Sequence, residues 1–332
     1  MVALFLSADA PVTGRILCRI STENAPGHFQ ARALRKFSEL VAESIGGSLM
    51  VEFYDGARLF RDIDAIGAIG AIARGDLEIA APGIWQLDKY APDTAVLMLP
   101  SVYGRSREII RTLVDGPLGA VLSEEIEAAM RVVVLGRWLD LGYAHTFGGK
   151  TAIRSVGDIR GRHIRVAGGR ANEERVKALG GLPVSIPMLD LPAYLERDLV
   201  DGIVSTYETV DSAGLDASGL GTVLEDEQYY PFYVPIVNAA LWARLDDAQR
   251  YAIASAWVAV VADARLEAVR AQDEAKARLV SRGLAVYRPT REQATATRRA
   301  LMAQEDGMAS RLNISGRVLG LLRDELPATV TR

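Results

Sequence analysis

The chain has 332 residues, enough for about two domains at roughly 150 residues each. Hydrophobic residues make up 49% and charged residues 24%, which is typical of a globular protein and excludes disordered, collagen-like and disulfide-framework classes. The formal net charge of −4 offers no positive excess to neutralise phosphates, so nucleic acid is not expected as a partner.

The N-terminal segment Met1–Ala10 contains a short apolar stretch followed by Ala-Asp-Ala. A complete export signal has a basic segment and about 7–15 apolar residues before such a cleavage site. Here the basic segment is missing and the apolar stretch covers only Val2–Leu6. Two interpretations stay open: a non-functional tail, and the remainder of a signal peptide whose beginning is absent.

Predicted strands and helices alternate through the first two thirds of the chain. Phe29, Ala33 and Phe37, for example, recur at the spacing of one helix face. In chain order, we predict strands over 15–20, 49–54, 77–81, 132–135, 163–166 and 202–205, and helices over 25–45, 63–74, 170–179 and 191–198. This alternation favours an α/β fold with a mainly parallel sheet.

The C-terminal third predicts one long helix. Asp246 and Gln249 form a capping box, and neither proline nor glycine follows until Gly283. Such a helix is ~55 Å long at about 1.5 Å per residue, more than the ~30 Å of a small domain. Its apolar residues, among them Ile253 and Trp257, lack the heptad of a coiled coil. We therefore expect two lobes bridged by this helix.

The sequence carries no motif for catalysis, metal binding or a cofactor. One cysteine, Cys18, and three histidines form no cluster of the three or four ligands that zinc needs. Gly149-Lys150-Thr151 imitates a phosphate-binding loop, but Ala144 stands where that loop needs a glycine. No apolar run approaches the ~20 residues of a membrane-spanning helix. We expect no cofactor, no metal and no membrane span.

The predicted strand 163–166 places one basic residue on an informative face. Side chains alternate along a strand, so Ile164 and Val166 suit the core, and His163 and Arg165 share the opposite face. Ligand clefts form beyond the carboxyl ends of strands in α/β sheets, where Arg165 would lie. A guanidinium there can hold a carboxylate through two parallel hydrogen bonds. From spacing alone, a structural ion pair is the alternative.

Short motifs occur in order along the chain. They are KFSELV at 36–41, Leu99-Pro100, DGPLG at 115–119, DIRGRHIRV at 158–166, ALGG at 178–181, VDG at 200–202 and WARL at 242–245. Their order and spacing over about residues 15–290 resemble the tripartite (TRAP) solute receptors of the DctP type. The resemblance implies a two-lobed periplasmic receptor, not an enzyme, which closes on a small organic acid and delivers it to a membrane permease.

The resemblance also implies lobe boundaries and roles for individual residues. Lobe I would comprise 11–142 with 231–270, and lobe II 143–230 with 271–332. Arg165 matches the family's carboxylate-binding arginine. Ser205 falls where many members place an asparagine that contacts the ligand. Met188 stands where an aromatic residue often covers the ligand, with a core methionine as the alternative.

Two departures from the family pattern concern the ligand. A second arginine found in many members would fall at Ala144 or His145, and neither supplies a fixed cation. The usual Glu-x-Tyr is altered to Asp190-Leu191-Pro192. With Arg165 as the one permanent cation, the second charge of a dicarboxylate would be unpaired in the cleft. We therefore expect a monocarboxylate or a zwitterion.

Further residues are candidates for the cleft wall. Glu23 follows the first strand at a position that lines the cleft in relatives, and ectoine-type members use an acid there. Facing Arg165, it would suit a zwitterion, and an exposed loop residue is the alternative. The candidates for an apolar wall, each of which could instead belong to the core, are Trp85, Tyr207, Tyr230 and Phe232.

Two other functions stay open from the sequence. One is a cytoplasmic α/β enzyme that acts on a carboxylate, and the other is a receptor domain that senses its ligand rather than transporting it. A cytoplasmic enzyme would have no export signal upstream of Met1. Permease genes beside the gene for this protein would argue against a sensing domain.

Overall fold

The computed structural model describes residues 16–60 and 77–326. Its strands are β1 (Ile16–Ser21), β2 (Leu49–Tyr54), β3 (Ile79–Ala80), β4 (Val132–Val134), β5 (Leu139–Asp140), β6 (Ala144–Gly148), β7 (His163–Val166), β8 (Leu182–Ser185), β9 (Gly202–Ser205), β10 (Thr222–Tyr229), β11 (Phe232–Tyr233), β12 (Ile236–Asn238) and β13 (Ala285–Tyr287). Its helices are α1 (Phe29–Ser44), α2 (Arg107–Asp115), α3 (Pro117–Met130), α4 (Arg170–Ala178), α5 (Leu191–Glu196), α6 (Tyr207–Ser212), α7 (Ala239–Arg244), α8 (Asp247–Ser281), α9 (Arg291–Met302), α10 (Glu305–Leu312) and α11 (Gly316–Glu325). Met1–Ala10 and the expected helix 63–74 lie outside the described residues.

The strands form two main sheets, which confirms an α/β fold built on two lobes. The first sheet has the order β2-β1-β3-β12-β4, and the second has the order β13-β10-β6-β9-β7-β8. The expectation of mainly parallel sheets is only partly correct. β12 runs antiparallel to β3 and β4, and β6 runs antiparallel to β9 and β10. β6 is the first strand that the chain adds to the second sheet. β12 is the strand with which the chain returns to the first sheet.

Most expected elements are present, with small shifts at their ends. The strands β7 and β9 match the predicted ranges 163–166 and 202–205. Helix α1 begins at Phe29 instead of Ala25, because His28 caps it. The His28 Nδ1 accepts a hydrogen bond from the Gln30 amide at 3.2 Å. Capping by this side chain satisfies one of the amides that a helix N-terminus leaves without an intrahelical partner.

Helix α8 packs against both lobes along its 35 residues. Its capping box is present, with Gln249 N donating to Asp246 Oδ1 at 2.8 Å. In its first half, Trp257 packs edge-on against Phe37 of α1, with ring centroids 5.6 Å apart. In its second half, Arg278 pairs with Asp211 of α6 at 2.8 Å. No helix within the described ranges has an apolar stretch long enough to cross a bilayer.

The last three helices return to elements beside the first sheet. The Ser101 amide donates to Glu305 at 2.5 Å, and the Leu118 amide donates to Glu325 at 3.0 Å. Arg298 of α9 donates to the carbonyl of Pro100 at 3.1 Å. The C-terminal helices therefore stabilise the packing around the 3₁₀ segment Pro92–Met98 and helix α3.

Candidate functional site

A cavity lies where a 3₁₀ turn of the first lobe meets strand ends of the second. The turn Ile84–Gln86 follows β3, and the segments after β7 and β8 form the opposite wall. The cavity has a volume of about 460 Å³ and is lined by Trp85 on one side and by Gly169, Ile186 and Pro187 on the other. This volume is within the range of ~300–1,000 Å³ typical of small-molecule sites.

Arg165 lies beside this cavity, as the strand pattern predicts. It is the penultimate residue of β7, between β8 and β9, and its side chain is 1% exposed. Its Nε donates a hydrogen bond to the carbonyl of Ile186, a residue that lines the cavity, at 2.9 Å. Burial of a guanidinium is unfavourable unless polar groups surround it. The position therefore suits a residue that binds an anion.

Ser205 and His145 lie directly opposite each other on neighbouring strands. Their Cα atoms are partners in the register of β9 and β6, and both side chains are buried. The Glu227 amide donates to His145 Nδ1 at 3.3 Å. Ala144 instead pairs with Tyr229 of β10. Of the two candidates for the second cationic position, His145 is thus the one next to Ser205.

Tyr207 and His145 line a smaller, neighbouring pocket. Their rings are 5.3 Å apart, and the pocket of about 140 Å³ also contacts Glu225 and Lys276. Burial raises the pKa of Tyr207, whose hydroxyl donates to Glu225 at 2.7 Å. Burial opposes ionisation of Glu225, but hydrogen bonds from Lys276, Arg288 and Tyr207 lower its pKa to about 2. Tyr207 therefore lies in a charged pocket against α8, away from the cavity beside Trp85.

Trp85 forms an aromatic wall with Tyr233. Their ring centroids are 5.6 Å apart, and Trp85 is 6% exposed. Asn24, in the loop after β1, donates to the Tyr233 hydroxyl at 3.0 Å. The Trp85 Nε1 has no hydrogen-bond partner among the described residues. A buried donor of this kind is unfavourable unless a ligand or water accepts from it.

Glu23 and Met188 are in segments that follow strands of different sheets, and neither is among the residues that line the cavity beside Trp85. Glu23 follows β1 and is half-buried, and its Oε2 has no hydrogen-bond partner within the described ranges. Met188 is half-buried in the connection after β8 and packs partly against the core of the second sheet. Contact of either side chain with a ligand therefore stays a prediction.

Phe232 is a core residue, and Tyr230 packs beside it and also lines the smaller pocket. Phe232 is fully buried, and its ring packs against Trp138 at 6.2 Å and against Tyr230 at 5.6 Å. The Tyr230 hydroxyl donates to Asp140 at 3.0 Å. Phe232 is absent from the residues that line the cavity beside Trp85. The alternative interpretation of Phe232 as core is therefore the one that the geometry supports.

Two hydrogen bonds between the lobes were not predicted from the sequence. The buried Asp88 carboxylate accepts a hydrogen bond from the Ala171 amide at 2.9 Å, at the start of α4, and burial raises the pKa of Asp88. Glu208 accepts from the Phe29 amide at 3.1 Å. These partners are 83 and 179 residues apart, so no local pattern could have indicated them.

The arrangement of groups is suited to binding. Within the part of the chain that the structure describes, His, Cys, Asp and Glu side chains form no cluster that could hold a metal ion. Arg165 can bind a carboxylate, Trp85 supplies an N–H donor and Glu23 an acceptor. Such complementary groups fix the orientation of a small polar molecule.

Comparison with known proteins identifies the family. The family model of the bacterial extracellular solute-binding proteins, family 7 (DctP), matches residues 20–311. The C4-dicarboxylate-binding protein DctB of Bacillus subtilis is 25% identical over 227 residues, which are 65% of this chain and 62% of DctB. The chain thus matches somewhat less than two thirds of the length of that relative.

Solved structures share the whole fold. A TRAP periplasmic solute-binding protein from Sulfurospirillum deleyianum, with bound succinate, has a TM-score of 0.85 at 19% identity and covers 94% of this chain and 99% of its own. One from Roseobacter denitrificans, with bound β-D-glucuronate, has a TM-score of 0.82 at 21% identity and covers 92% and 99%. The family model spans most of the sequence, and the chain therefore belongs to the DctP family of bacterial extracellular solute-binding proteins.

Proposed function

We propose that this protein is a periplasmic receptor that binds a small monocarboxylate or zwitterion between its lobes and delivers it to a TRAP-type membrane permease. The observation that carries the proposal is the buried guanidinium of Arg165 beside the 460 Å³ cavity. His145, which would stand at the position of a second arginine, lies opposite Ser205 on the neighbouring strand and lines the smaller pocket. Family membership supports an extracellular site of action and a permease as partner.

The charge of the ligand follows from the cations around the cavity. Arg165 is buried, whereas Lys89 and Arg170 at the cavity rim are exposed to solvent. A second carboxylate in the cleft would need a cation, and an imidazole such as that of His145 is not a permanent one. An unpaired buried charge costs several kcal/mol, more than the ~0.5–1.5 kcal/mol that one neutral hydrogen bond returns. A single carboxylate avoids this penalty.

The remaining site residues can receive the rest of the ligand. Glu23 Oε2 has no hydrogen-bond partner among the described residues and can accept from an ammonium or hydroxyl group. Ser205 and Met188 would contact the ligand from the second lobe, and Trp85 would donate through Nε1. A molecule with a carboxylate at one end and a cationic or hydroxyl group at the other fits this set.

The structures of related proteins support both kinds of acid. The Sulfurospirillum protein holds succinate, which has two carboxylates, and the Roseobacter protein holds glucuronate, which has one. The shared fold accommodates either, so the charged side chains around each cavity decide between them. For this chain, His145 beside Ser205 favours the single carboxylate.

We also propose the lobe division 11–142 with 231–270, and 143–230 with 271–332, in a modified form. The strands of the two sheets support it, since β1–β4 and β12 form one sheet and β6–β10 and β13 the other. The contacts of Ser101 with Glu305 and of Leu118 with Glu325 connect the C-terminal helices to the first lobe. We therefore attach 291–326 to lobe I.

A titration of four ligands tests the proposed function. Calorimetry with succinate, a 2-oxo monocarboxylate, glucuronate and an ectoine-like zwitterion should show binding of a single-carboxylate compound and much weaker binding of succinate. Thermal stability gives an independent readout, because ligand at 100 times its dissociation constant adds about 2.7 kcal/mol of apparent stability. Tight binding of succinate alone would show that a further cation completes the site and that the charge argument is wrong.

A further inference from the structure

Glu208 connects the two lobes through a buried carboxylate. It lies in the first turn of α6, beside the second sheet, and its Oε1 accepts a hydrogen bond from the Phe29 amide at 3.1 Å. Its Oε2 lies 2.9 Å from the Nε2 of His28, which precedes α1 beside the first sheet. Glu208 is 4% exposed and His28 is 1% exposed. We call Glu208, His28 and Phe29 the Glu208 clasp.

The chemistry of the clasp favours contact between the lobes. The Gln30 amide donates to His28 Nδ1, so a neutral imidazole carries its proton on Nε2, which lies 2.9 Å from Glu208 Oε2 and 3.5 Å from the Thr209 hydroxyl. Phe29 is the first residue of α1, and its amide has no partner within the helix. The N-terminus of a helix also favours a negative charge nearby. Separation of the lobes would remove both partners from Glu208.

The backbone around Glu208 is held in place by α8. Gln272 of α8 accepts from the Glu208 amide at 3.1 Å and donates to the carbonyl of Leu141 at 2.5 Å. The Thr206 hydroxyl accepts from the Thr209 amide at 3.3 Å and caps α6. The helix that spans both lobes therefore fixes the position from which Glu208 reaches α1.

The clasp also joins the two segments that carry proposed ligand contacts. Glu23 lies in the loop that leads to His28, and Ser205 is the last residue of the strand that leads to Glu208. A ligand held between Glu23 and Ser205 draws the same segments together that the clasp connects. Release of the ligand requires these segments to part, which breaks the clasp.

We infer that Glu208 is a positioning residue: through His28 and Phe29 it stabilises the closed arrangement of the lobes and slows release of the ligand. Glu208 needs no contact with the ligand for this role. The inference rests on the proposed function for its effect on ligand release, whereas its effect on lobe closure can be measured without a ligand.

A double-mutant cycle tests the clasp. Glu208→Gln keeps an acceptor for the Phe29 amide but loses the charge, and His28→Asn keeps a preferred helix cap but loses Nε2. Glu208→Gln makes the hydrogen bond from the Phe29 amide a weaker, neutral one, and His28→Asn removes the ring nitrogen that lies 2.9 Å from Glu208 Oε2, so stopped-flow measurement should show about tenfold faster ligand dissociation for each variant. Because the two residues act together, the double variant should dissociate no faster than the faster single variant. Fully multiplicative effects would overturn the inference.

A matched control separates the clasp from the general loss of a carboxylate that contacts α1 from another helix. Arg32 of α1 and Glu267 of α8 form an ion pair at 2.6 Å, with side chains 43% and 33% exposed. Exposed pairs contribute little, so Glu267→Gln should change the dissociation rate by less than about twofold. Circular dichroism should show the same helix content in all variants. A control variant that releases ligand as fast as Glu208→Gln would contradict a specific role for the clasp.

Spin-label distances test closure without a ligand. Met50 on β2 and Leu182 on β8 are exposed and lie on opposite edge strands of the two sheets, while Cys18 is fully buried. With labels on cysteines at 50 and 182, Glu208→Gln should lower the closed-to-open ratio by about tenfold. Identical distance distributions for both proteins would overturn the inference. If these distributions differ but none of the four acids binds, the proposed function fails and the clasp stands.

Discussion

Gly169 touches the backbone of Trp85 so closely that a side chain has no room. A β-carbon on Gly169 would lie 2.1 Å from the Trp85 carbonyl oxygen. The Gly169 backbone has φ +87°, ψ 134°, a region that only glycine adopts readily. At Gly168, with φ +99°, a β-carbon would meet no atom within 4 Å. The approach of the two lobes at the cavity therefore depends on glycine at position 169.

We predict that Gly169→Ala weakens ligand binding and that Gly168→Ala does not. Both substitutions place alanine at an unfavourable positive φ, which costs about 1–3 kcal/mol of folding free energy. In Gly169→Ala alone, the β-carbon also pushes against Trp85 and opposes closure around the ligand. Calorimetric affinities and urea unfolding of both variants make the comparison. Equal affinities of the two variants would mean that the contact with Trp85 does not matter for binding.

Arg165 should supply most of the affinity for a carboxylate. Removal of one partner of a buried, hydrogen-bonded charge pair costs about 2–5 kcal/mol, so Arg165→Ala should weaken binding by roughly 30-fold or more. Arg165→Lys keeps the charge but loses the planar fork and the Nε bond to Ile186, and should recover only part of the affinity. Unchanged affinity of the alanine variant with intact circular dichroism would refute this role.

The receptor should become more compact when ligand binds. Helix α8 packs against elements of both lobes, and closure by hinge motion is common in two-lobed binding proteins. Small-angle X-ray scattering should show a smaller radius of gyration at saturating ligand than without it. Arg165→Ala at the same ligand concentration is the control and should show little change. Superimposable scattering curves for the wild type in both conditions would argue against closure.

Asp226 should make stability depend on pH in the opposite direction to most carboxylates. Its side chain accepts hydrogen bonds from the Thr146 amide and hydroxyl at 3.1 and 2.7 Å, but complete burial raises its pKa to about 6. Between about pH 4 and 6 the folded protein then binds more protons than the unfolded chain, so the free energy of unfolding falls as pH rises.

The variant Asp226→Asn measures how much Asp226 contributes to the pH dependence of the free energy of unfolding. A pKa shift of about two units corresponds to about 3 kcal/mol of stability lost between about pH 4 and 6. Urea unfolding across this range should show a shallower fall with pH in the variant than in the wild type. Glu225, whose pKa is lowered from 4.5 to about 2, loses its stabilising effect as pH falls from about 4.5 to 2, and it does so equally in both proteins. Parallel stability curves for wild type and variant would show that Asp226 titrates normally.

The elements that could be predicted from the sequence are those with a local pattern. Helix α8 follows from its capping box and the absence of glycine or proline, and β7 from the alternation of Ile164 and Val166 with polar residues. The same alternation placed Arg165 at the end of a strand and near a cleft. These patterns succeed because the side chains that bury one face of a helix or strand recur within a few residues.

Residue type alone could not separate core from cleft. Trp85 lines the cavity, Tyr207 lies in the smaller pocket against α8, and Phe232 packs in the core. All three are large aromatic residues in or next to short elements, and the sequence treats them alike. Their surroundings differ because each packs against segments distant in the chain, such as Trp138 against Phe232.

The sequence by itself determined the family, the α/β class, the long helix and the position of Arg165 near the end of a strand, since motif order and periodicity carry this information. Only the tertiary structure decided which residues join the lobes: Gly169 with Trp85, Asp88 with Ala171, and Glu208 with His28. In each pair, one residue belongs to a helix, turn or loop beside the first sheet and the other to one beside the second. Which of them meet depends on how the chain crosses between the sheets and on the antiparallel strands β6 and β12. Such contacts leave no periodic signal, because hydrogen bonding and close packing act between neighbours in space, however far apart they are in the chain.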